Sequence, residues 1–442
     1  MKNIFFTTLL LICLALGNAH SEPFNNARLD SLFDILAAKN KAMGSIAISK
    51  NGNIIYSRAI GYKQISDKEK QPVTTSTKYR IGSITKMFTA TMIFQLIDEG
   101  KIKLTTPIAT YFPKLPNAGK ITIGNLLNHR SGLHNFTNDE DYMTWMTSPK
   151  THDEMLDIIS KKPVDFEPNE KASYSNSNYV LLGYVIENIT KQTYSKALQE
   201  RITSKIGLSD TYVGGKINLT HNECFSYAVL GDWELQPETD MSIPGGAGAI
   251  ISTPTDLTKF IEALFAQKLM SEKSFSQMKT ITDSYGMGIF TIPFNTRKAY
   301  GHNGGIDGFA SILGYFPEDS VAISYISNGQ AYPMNDILIG ALSIYFDMDY
   351  SIPTFTVIAV KPEELDKYRG VYSSPQFPLK ITIAKEGSTL TGQATGQSSF
   401  PLEATEKDKF EFQQAGIVIE FNTTKSELTL KQGGRNFVLK KE

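Results

Sequence analysis

A serine followed three residues later by a lysine, in Ser83-Ile84-Thr85-Lys86, is the arrangement in this chain best suited to chemistry. A serine hydroxyl becomes a competent nucleophile when a neighbouring base takes its proton, and a lysine that loses its charge on burial can take that proton or tune the group that does. Spacing alone carries little, since such a pair arises about once or twice by chance in a chain this long, and Ser276 with Lys279 repeats it. The surroundings of Ser83 are what differ. Tyr79-Arg80-Ile81-Gly82 leads into it, and apolar residues at helical spacing, Ile93, Phe94, Leu96 and Ile97, run on to a stop at Gly100. Ser83 is therefore predicted at a helix entrance, where free backbone N–H groups and the positive end of the helix dipole can stabilise a developing oxyanion, with Lys86 on the same face. Taken locally, a capping serine beside a solvated lysine fits the same pattern and is the plainer reading.

Two further segments add to the chemistry. In Tyr174-Ser175-Asn176-Ser177-Asn178-Tyr179 a polar run precedes Val180, Leu181, Leu182, Val185 and Ile186, which predicts a loop at a helix start. Tyr174 can serve as general base although a free phenol titrates near about 10, because a neighbouring cation favours the phenolate. Asn176 can hold a substrate carbonyl and the lysine. A polar turn with an aromatic plug is the alternative. In Tyr300-Gly301-His302-Asn303-Gly304-Gly305-Ile306-Asp307-Gly308, the glycines let a strand backbone approach a ligand, so that the Gly305 N–H becomes a second oxyanion donor beside that of Ser83. Alone, this segment also reads as a glycine-rich hairpin.

With these three motifs in this order, the chain resembles the serine β-lactamase and penicillin-recognising superfamily, in its class C-like branch of D-Ala-D-Ala carboxypeptidases, D-aminopeptidases, esterases and class C β-lactamases. The likeness extends over residues 25 to 345 and includes Thr122-Ile123-Gly124-Asn125-Leu126-Leu127-Asn128-His129-Arg130-Ser131-Gly132-Leu133 and Pro244-Gly245-Gly246-Ala247-Gly248 running into Ser252-Thr253-Pro254-Thr255-Asp256-Leu257. The resemblance implies an α/β (α+β) sandwich of antiparallel sheet and helical region. It implies Ser83 as acylated nucleophile, Lys86 and Tyr174 as the proton-handling pair, and Asn176, His302 and Gly304 as substrate contacts. It also implies a covalent acyl-enzyme acting on peptide, amide or ester bonds, D-amino-acid peptides and peptidoglycan fragments among them, without a cofactor. His302 departs from the pattern, because carboxypeptidases and class C β-lactamases have a lysine there. A histidine of free pKa about 6.5 is mostly neutral at pH 7, which favours the esterase and aminopeptidase-like relatives over strong β-lactamase activity, with a weak β-lactamase or D-Ala-D-Ala carboxypeptidase as the alternative. On this reading, affinity for carboxylate-bearing substrates falls as pH rises through the histidine pKa, and Arg297 is the nearest alternative cation. A penicillin-binding sensor without useful turnover is the competing class.

Composition sets the frame. The 442 residues suffice for a large catalytic domain and a smaller second one, and a formal net charge of -1 gives no electrostatic basis for binding nucleic acid or an anionic membrane. The histidines form no metal-binding motif, and His129 and His134 read as structural. Residues 1–21, with Lys2, an apolar run from Ile4 to Leu16 and then Gly17-Asn18-Ala19-His20-Ser21, read as a secretory leader. That places the mature chain, with no transmembrane span, in the periplasm or outside the cell. Cys13 suggests lipidation as a second reading, against which the bulky Ile12 counts. Leader removal leaves Cys224 alone and no intramolecular disulfide. A hairpin is predicted from Ser45–Ser49 and Ile54–Ser57 around Lys50-Asn51-Gly52-Asn53, and strands at Ala310–Phe316 and Val321–Ser327 are followed by Asn328-Gly329 as a turn signal. The catalytic domain is thus expected over 22–350, a linker over 351–362 and a second domain over 363–442. In that last part Leu379–Ala384, Thr389–Ala394, Phe410–Gln413, Gly416–Phe421, Glu427–Lys431 and Asn436–Leu439 are strand-like, which indicates a small antiparallel barrel similar to lipocalin-like modules. Lidding the site, assembly, and binding of a ligand or cell-wall element all remain open as its role. The partner expected overall is a small-molecule or peptide substrate, and the oligomeric state stays open.

Overall fold

The structure is a computed structural model in which residues 25–66, 68–230, 232–412, 415–432 and 435–442 are described. The predicted leader lies outside the described residues. Helix α1 (Asn26–Ala38) precedes the hairpin of β1 (Ala42–Lys50) and β2 (Asn53–Ile60). Its turn is Asn51-Gly52, with φ of 51° and 82°, the left-handed backbone that a tight hairpin needs and that Asn and Gly tolerate best.

The middle of the catalytic region is helical. Helix α2 (Thr85–Asp98) is buried continuously from Thr85 to Leu96, as a helix surrounded on all sides must be. Helix α3 (Asn176–Thr190) packs on it, and α4 (Pro254–Phe265) places Phe260 in a stack with Phe88 at 3.7 Å between ring centroids. The chain then returns to the sheet as β3 (Phe290–Phe294), β4 (Arg297–Ile306), β5 (Phe309–Phe316) and β6 (Val321–Gln330). The antiparallel order is β3-β4-β5-β6-β1-β2, and the hairpin Tyr227–Leu230/Asp232–Leu235 is attached to β6 at Gly329. Strand β6 is buried along nearly its whole length, without alternation. Helices α1 and α5 (Met334–Tyr345) cover one face of the sheet through Leu29, Phe33, Ile337 and Leu342, and the helical region covers the other through Phe260, Ile261 and Leu264.

Asn328-Gly329 is not a turn, contrary to the sequence expectation, but lies inside β6. The buried Asn328 amide donates to the Tyr62 and Phe225 carbonyls at 2.9 and 2.8 Å, so a residue typical of turns here fastens two neighbouring segments to the sheet. After α5, residues 351–361 carry no regular secondary structure. They are nonetheless docked: Phe355 is buried in the core formed by α1, α5 and the sheet, and the Ile358 N–H donates to the Ala404 carbonyl at 2.8 Å.

A closed eight-stranded barrel follows, made of β7 (Gly370–Ser374), β8 (Phe377–Glu386), β9 (Thr389–Ala394), β10 (Phe400–Glu406), β11 (Lys409–Phe412), β12 (Ile417–Asn422), β13 (Glu427–Gln432) and β14 (Arg435–Lys441). Strand β14 pairs back onto β7 at Tyr372↔Lys441, which removes both sheet edges. Alternate residues such as Ile417, Ile419 and Phe421 fill its interior.

Candidate active site

Ser83 lies in a single turn of 3-10 helix, Gly82–Ile84, that feeds directly into α2. The expected helix entrance is therefore present, and Lys86 sits one turn on. Its Nζ is 2.9 Å from the Ser83 Oγ, while the Tyr174 hydroxyl donates to the same oxygen at 2.8 Å. Lys86 is fully buried and also donates to Asn176 Oδ1 and the Ala247 carbonyl, both at 2.8 Å. Burial holds the Lys86 pKa well below its ordinary value. A neutral amine has two N–H groups and one lone pair. The Asn176 and Ala247 oxygens can only accept, so they take the two N–H groups and leave the lone pair for the Ser83 hydroxyl. Asn176 is itself fixed, since its N–H donates to Asn135 Oδ1 at 2.9 Å and its Nδ2 to Thr137 Oγ1 at 3.1 Å.

The acidity expected of Tyr174 is corrected by its setting. Burial raises the phenol pKa above its ordinary value, outweighing the opposing hydrogen bond to Ser83. The Lys86 Nζ lies 4.9 Å from the centre of the Tyr174 ring, but the burial they share also drives that lysine toward neutrality, so no permanent cation is available to favour a phenolate.

His302 also departs from expectation. It is 1% exposed, its Nδ1 pairs with the Asn303 carbonyl, and burial, followed by the nearby Lys86, lowers its pKa to about 3. An imidazole with that pKa does not titrate between pH 6 and 8, which removes the expected loss of carboxylate affinity over that range. Its ring packs 4.1 Å from that of Phe290. Arg297 is engaged elsewhere, with Asp319 at 3.3 Å and the Phe346 ring at 4.1 Å.

The glycines of β4 are explained by close approach. A Cβ on Gly304 would lie 2.1 Å from the Ile81 carbonyl oxygen and 3.0 Å from the Ser83 nitrogen. Gly82 has φ +51°, and a Cβ there would lie 2.8 Å from the Gly305 nitrogen. The nucleophile turn and the end of β4 thus touch backbone to backbone, and the nitrogens of Ser83 and Gly305 are brought together on either side of this contact. A cavity of about 260 Å³ opens here, lined by Ser83, Asn176 and Gly305, with Phe136, Tyr142, Met143, Met146 and Ile306 as apolar wall. Among the described lining residues Asp307 alone carries a charge, and His302 is not part of the lining. A larger concavity of about 560 Å³, around Lys205, Lys259 and Lys268, holds none of the motif residues.

Ser276 and Lys279, the repeat of the spacing, are both exposed at the short helix Glu272–Met278, with the lysine over the Phe275 ring. His129 is buried beside Tyr174, 4.5 Å between rings, and its Nδ1 accepts the Ser175 N–H; His134 lies between Asp139 and Asp165. Sequence reasoning missed the Ala247 carbonyl, which had no side-chain signature. It also missed a buried charge pair, Arg80 with Asp307, whose members stand far apart in the chain.

A family model described as Beta-lactamase matches residues 30–341. Penicillin-binding protein 4* of Bacillus subtilis (strain 168) is 26% identical over 432 residues, covering 89% of this chain and 93% of that protein. Teichoic acid D-alanine hydrolase of Staphylococcus aureus (strain MRSA252) is 29% identical over 273 residues, 60% of this chain and 65% of its own length. Among solved structures, D-amino acid amidase from Ochrobactrum anthropi SV3, complexed with L-phenylalanine amide, superimposes with a TM-score of 0.64 at 29% identity, over 73% of this chain and 98% of that one. The matched span contains all three motifs and the whole sheet that carries them, and the chain belongs to the β-lactamase family.

Proposed function

We propose that the protein hydrolyses small D-amino-acid amides, peptides or esters through a covalent acyl-enzyme on Ser83. The observation that carries this reading is the Ser83 hydroxyl held between a buried, readily neutral Lys86 and a protonated Tyr174. Lys86 takes the Ser83 proton as Oγ bonds to the substrate carbonyl carbon, and the resulting oxyanion is stabilised by the Ser83 and Gly305 N–H groups. The tetrahedral species collapses with loss of the amine or alcohol, which takes the Tyr174 proton. The proton held by Lys86 restores the phenol. Water then attacks the ester through the same groups in reverse, releasing the acid and free Ser83.

The substrate class follows from the lining. A lining without lysine or arginine disfavours acyl donors ending in a free carboxylate, and the two relatives named for D-amino-acid chemistry support the D-configuration. A fluorophosphonate probe should label Ser83 by mass spectrometry, and Ser83→Ala should abolish labelling while Ser276→Ala leaves it intact. D-Alanine p-nitroanilide and D-alanine methyl ester should turn over faster than benzylpenicillin. Intact labelling of Ser83→Ala would sink the assignment, and labelling of the wild type with no turnover of any acyl donor would make the protein a binding protein instead.

A further inference from the structure

The Ser83 N–H and the Gly305 N–H belong to separate parts of the fold, and something must hold them in register. Arg80 stands three residues before Ser83, in the short strand Tyr79–Arg80, and Asp307 two residues after Gly305, in the turn between β4 and β5. Their side chains, each 1% exposed, meet at 2.7 Å between the Arg80 Nη1 and the Asp307 Oδ2. Thr239, from a third segment and part of the cavity lining, closes a ring. Its N–H and hydroxyl donate to Asp307 Oδ1 at 3.0 and 2.6 Å, and its carbonyl accepts from Arg80 Nη1 at 2.9 Å.

Resting on the Ser83 acyl-enzyme reading, we infer that the Arg80–Asp307–Thr239 ring is the positioning device of the oxyanion hole, setting the separation of the Ser83 and Gly305 N–H groups.

The geometry favours this over a merely structural pair. Both charged residues lie within three residues of the N–H they control, so a change in their separation is passed on through very short stretches of backbone. The contact between the two backbones is otherwise made by glycines, whose conformational freedom would let them drift. The Ser311 hydroxyl, donating to the Ile81 carbonyl at 2.8 Å, ties the nucleophile turn to the strand position opposite Gly304, whereas the Arg80–Asp307 bond acts beyond Gly305, past the end of β4. Arg80 cannot simply release Asp307 to solvent: its Nη2 is held by the Gly215 carbonyl at 2.9 Å and by Glu238 at 3.2 Å. A charge fixed on one side leaves its partner only one low-energy position. None of the three side chains is required to touch the reacting atoms.

The test compares acylation of Asp307→Asn with wild type, using D-alanine p-nitroanilide and a slowly deacylating ester, and records the infrared carbonyl band of the acyl-enzyme. The expected result is a fall in kcat of about 10- to 1,000-fold with KM within about threefold, together with a shift of the ester carbonyl band to higher wavenumber, because a loosened hole polarises the carbonyl less. The double variant Arg80→Met/Asp307→Leu removes both charges and can restore packing. It should recover melting temperature but neither the rate nor the carbonyl band. If Asp307→Asn does not fold, Thr239→Val removes one bond of the ring and should give the same changes in smaller measure. Wild-type rate and carbonyl band in Asp307→Asn or Thr239→Val, or a double variant that regains both along with stability, would overturn the inference. Failure of the wild type to form any acyl-enzyme on Ser83 would instead overturn the function on which it rests.

Discussion

Inside the C-terminal barrel the buried side chains are Tyr372, Ile381, Ile383, Leu390, Leu402, Phe410, Ile419, Leu428, Leu430 and their like, with Thr391 as the polar exception among the described residues. Around the active site, by contrast, Arg80, Lys86, His129 and His302 are all buried. An apolar interior gains from burial wherever it occurs, at about 25 cal/mol per Å². Each buried ionisable group instead loses hydration and must find specific partners or surrender its charge. The barrel is therefore built to be stable by packing, whereas the region around Ser83 gives up stability to bury a lysine driven toward neutrality and a tyrosine held protonated. Measurements that separate these two kinds of interior test the comparison.

The largest effect is expected at the site. Tyr174→Phe keeps the ring but removes the proton donor, and should slow acylation by about 10²–10⁴-fold; an unchanged pre-steady-state rate would leave Lys86 to act alone. On the proposed mechanism, activity in the wild type requires neutral Lys86 and protonated Tyr174. It should rise with pH through the lowered lysine pKa and hold until above the ordinary phenol range, because the Tyr174 pKa is raised. A limb falling as pH rises from 6 to 8 would contradict the placement of Tyr174, and a limb still rising near the ordinary lysine pKa of about 10.4 would contradict that of Lys86.

In the barrel, Leu428→Ala empties a fully buried position and should cost about 2–5 kcal/mol of that unit's stability, while Ser83 labelling stays at the wild-type rate. Loss of labelling would show that the two interiors are coupled. A smaller effect is expected at the connection. A chain ending at Val360 should keep the catalytic-region transition in calorimetry, whereas one ending at Ile352 also loses Phe355 and should be less stable by about 1.5–3 kcal/mol. Aggregation of both would make the barrel part of the main core.

The most diagnostic effect is on stability against pH. His129 and His302 have lowered pKa values in the fold, while the unfolded chain takes up protons near pH 6.5. Below that value the unfolded state binds more protons, so stability is full at pH 7.5 and falls as the solution is acidified, by about 1.4 kcal/mol per pH unit for each histidine until the folded pKa is reached. Residues 363–442 contain no histidine. The barrel's transition should therefore change less between pH 7.5 and 5.5 than that of the catalytic region, and parallel shifts would remove this distinction.

The same contrast governs what could be read from the sequence. Strand alternation made six of the eight barrel strands legible, and the two missed have local reasons: β7 ends in Ser373-Ser374, and β10 carries Pro401 and three glutamates or threonines among its few apolar residues. The site motifs were legible because two sit where a helix begins and the third in a strand marked by its glycines, with chemistry in neighbouring residues. The signs of the Tyr174 and His302 perturbations were not, because free-solution values and one neighbouring charge were weighed without burial, which the structure makes the dominant cause. Asn328-Gly329 misled for a related reason: a dipeptide that suits a turn was recruited to bond two distant carbonyls. The Arg80–Asp307 pair lay beyond local reading altogether, since nothing near Arg80 announces an acid 227 positions away.

On the proposed function, the backbone contact of Gly82 with Gly305 also sets when this protein becomes reactive. Ser83 is made early in synthesis and Gly305 only within the last third of residues 22–350, so a growing chain would carry Ser83 and Lys86 for most of its assembly without the proposed second oxyanion donor. Reactivity is then expected once β4 has closed against the nucleophile turn, all of whose residues precede the barrel strands in the chain. If Leu428→Ala leaves labelling unchanged, covalent labelling of Ser83 becomes a count of chains whose first domain has finished folding.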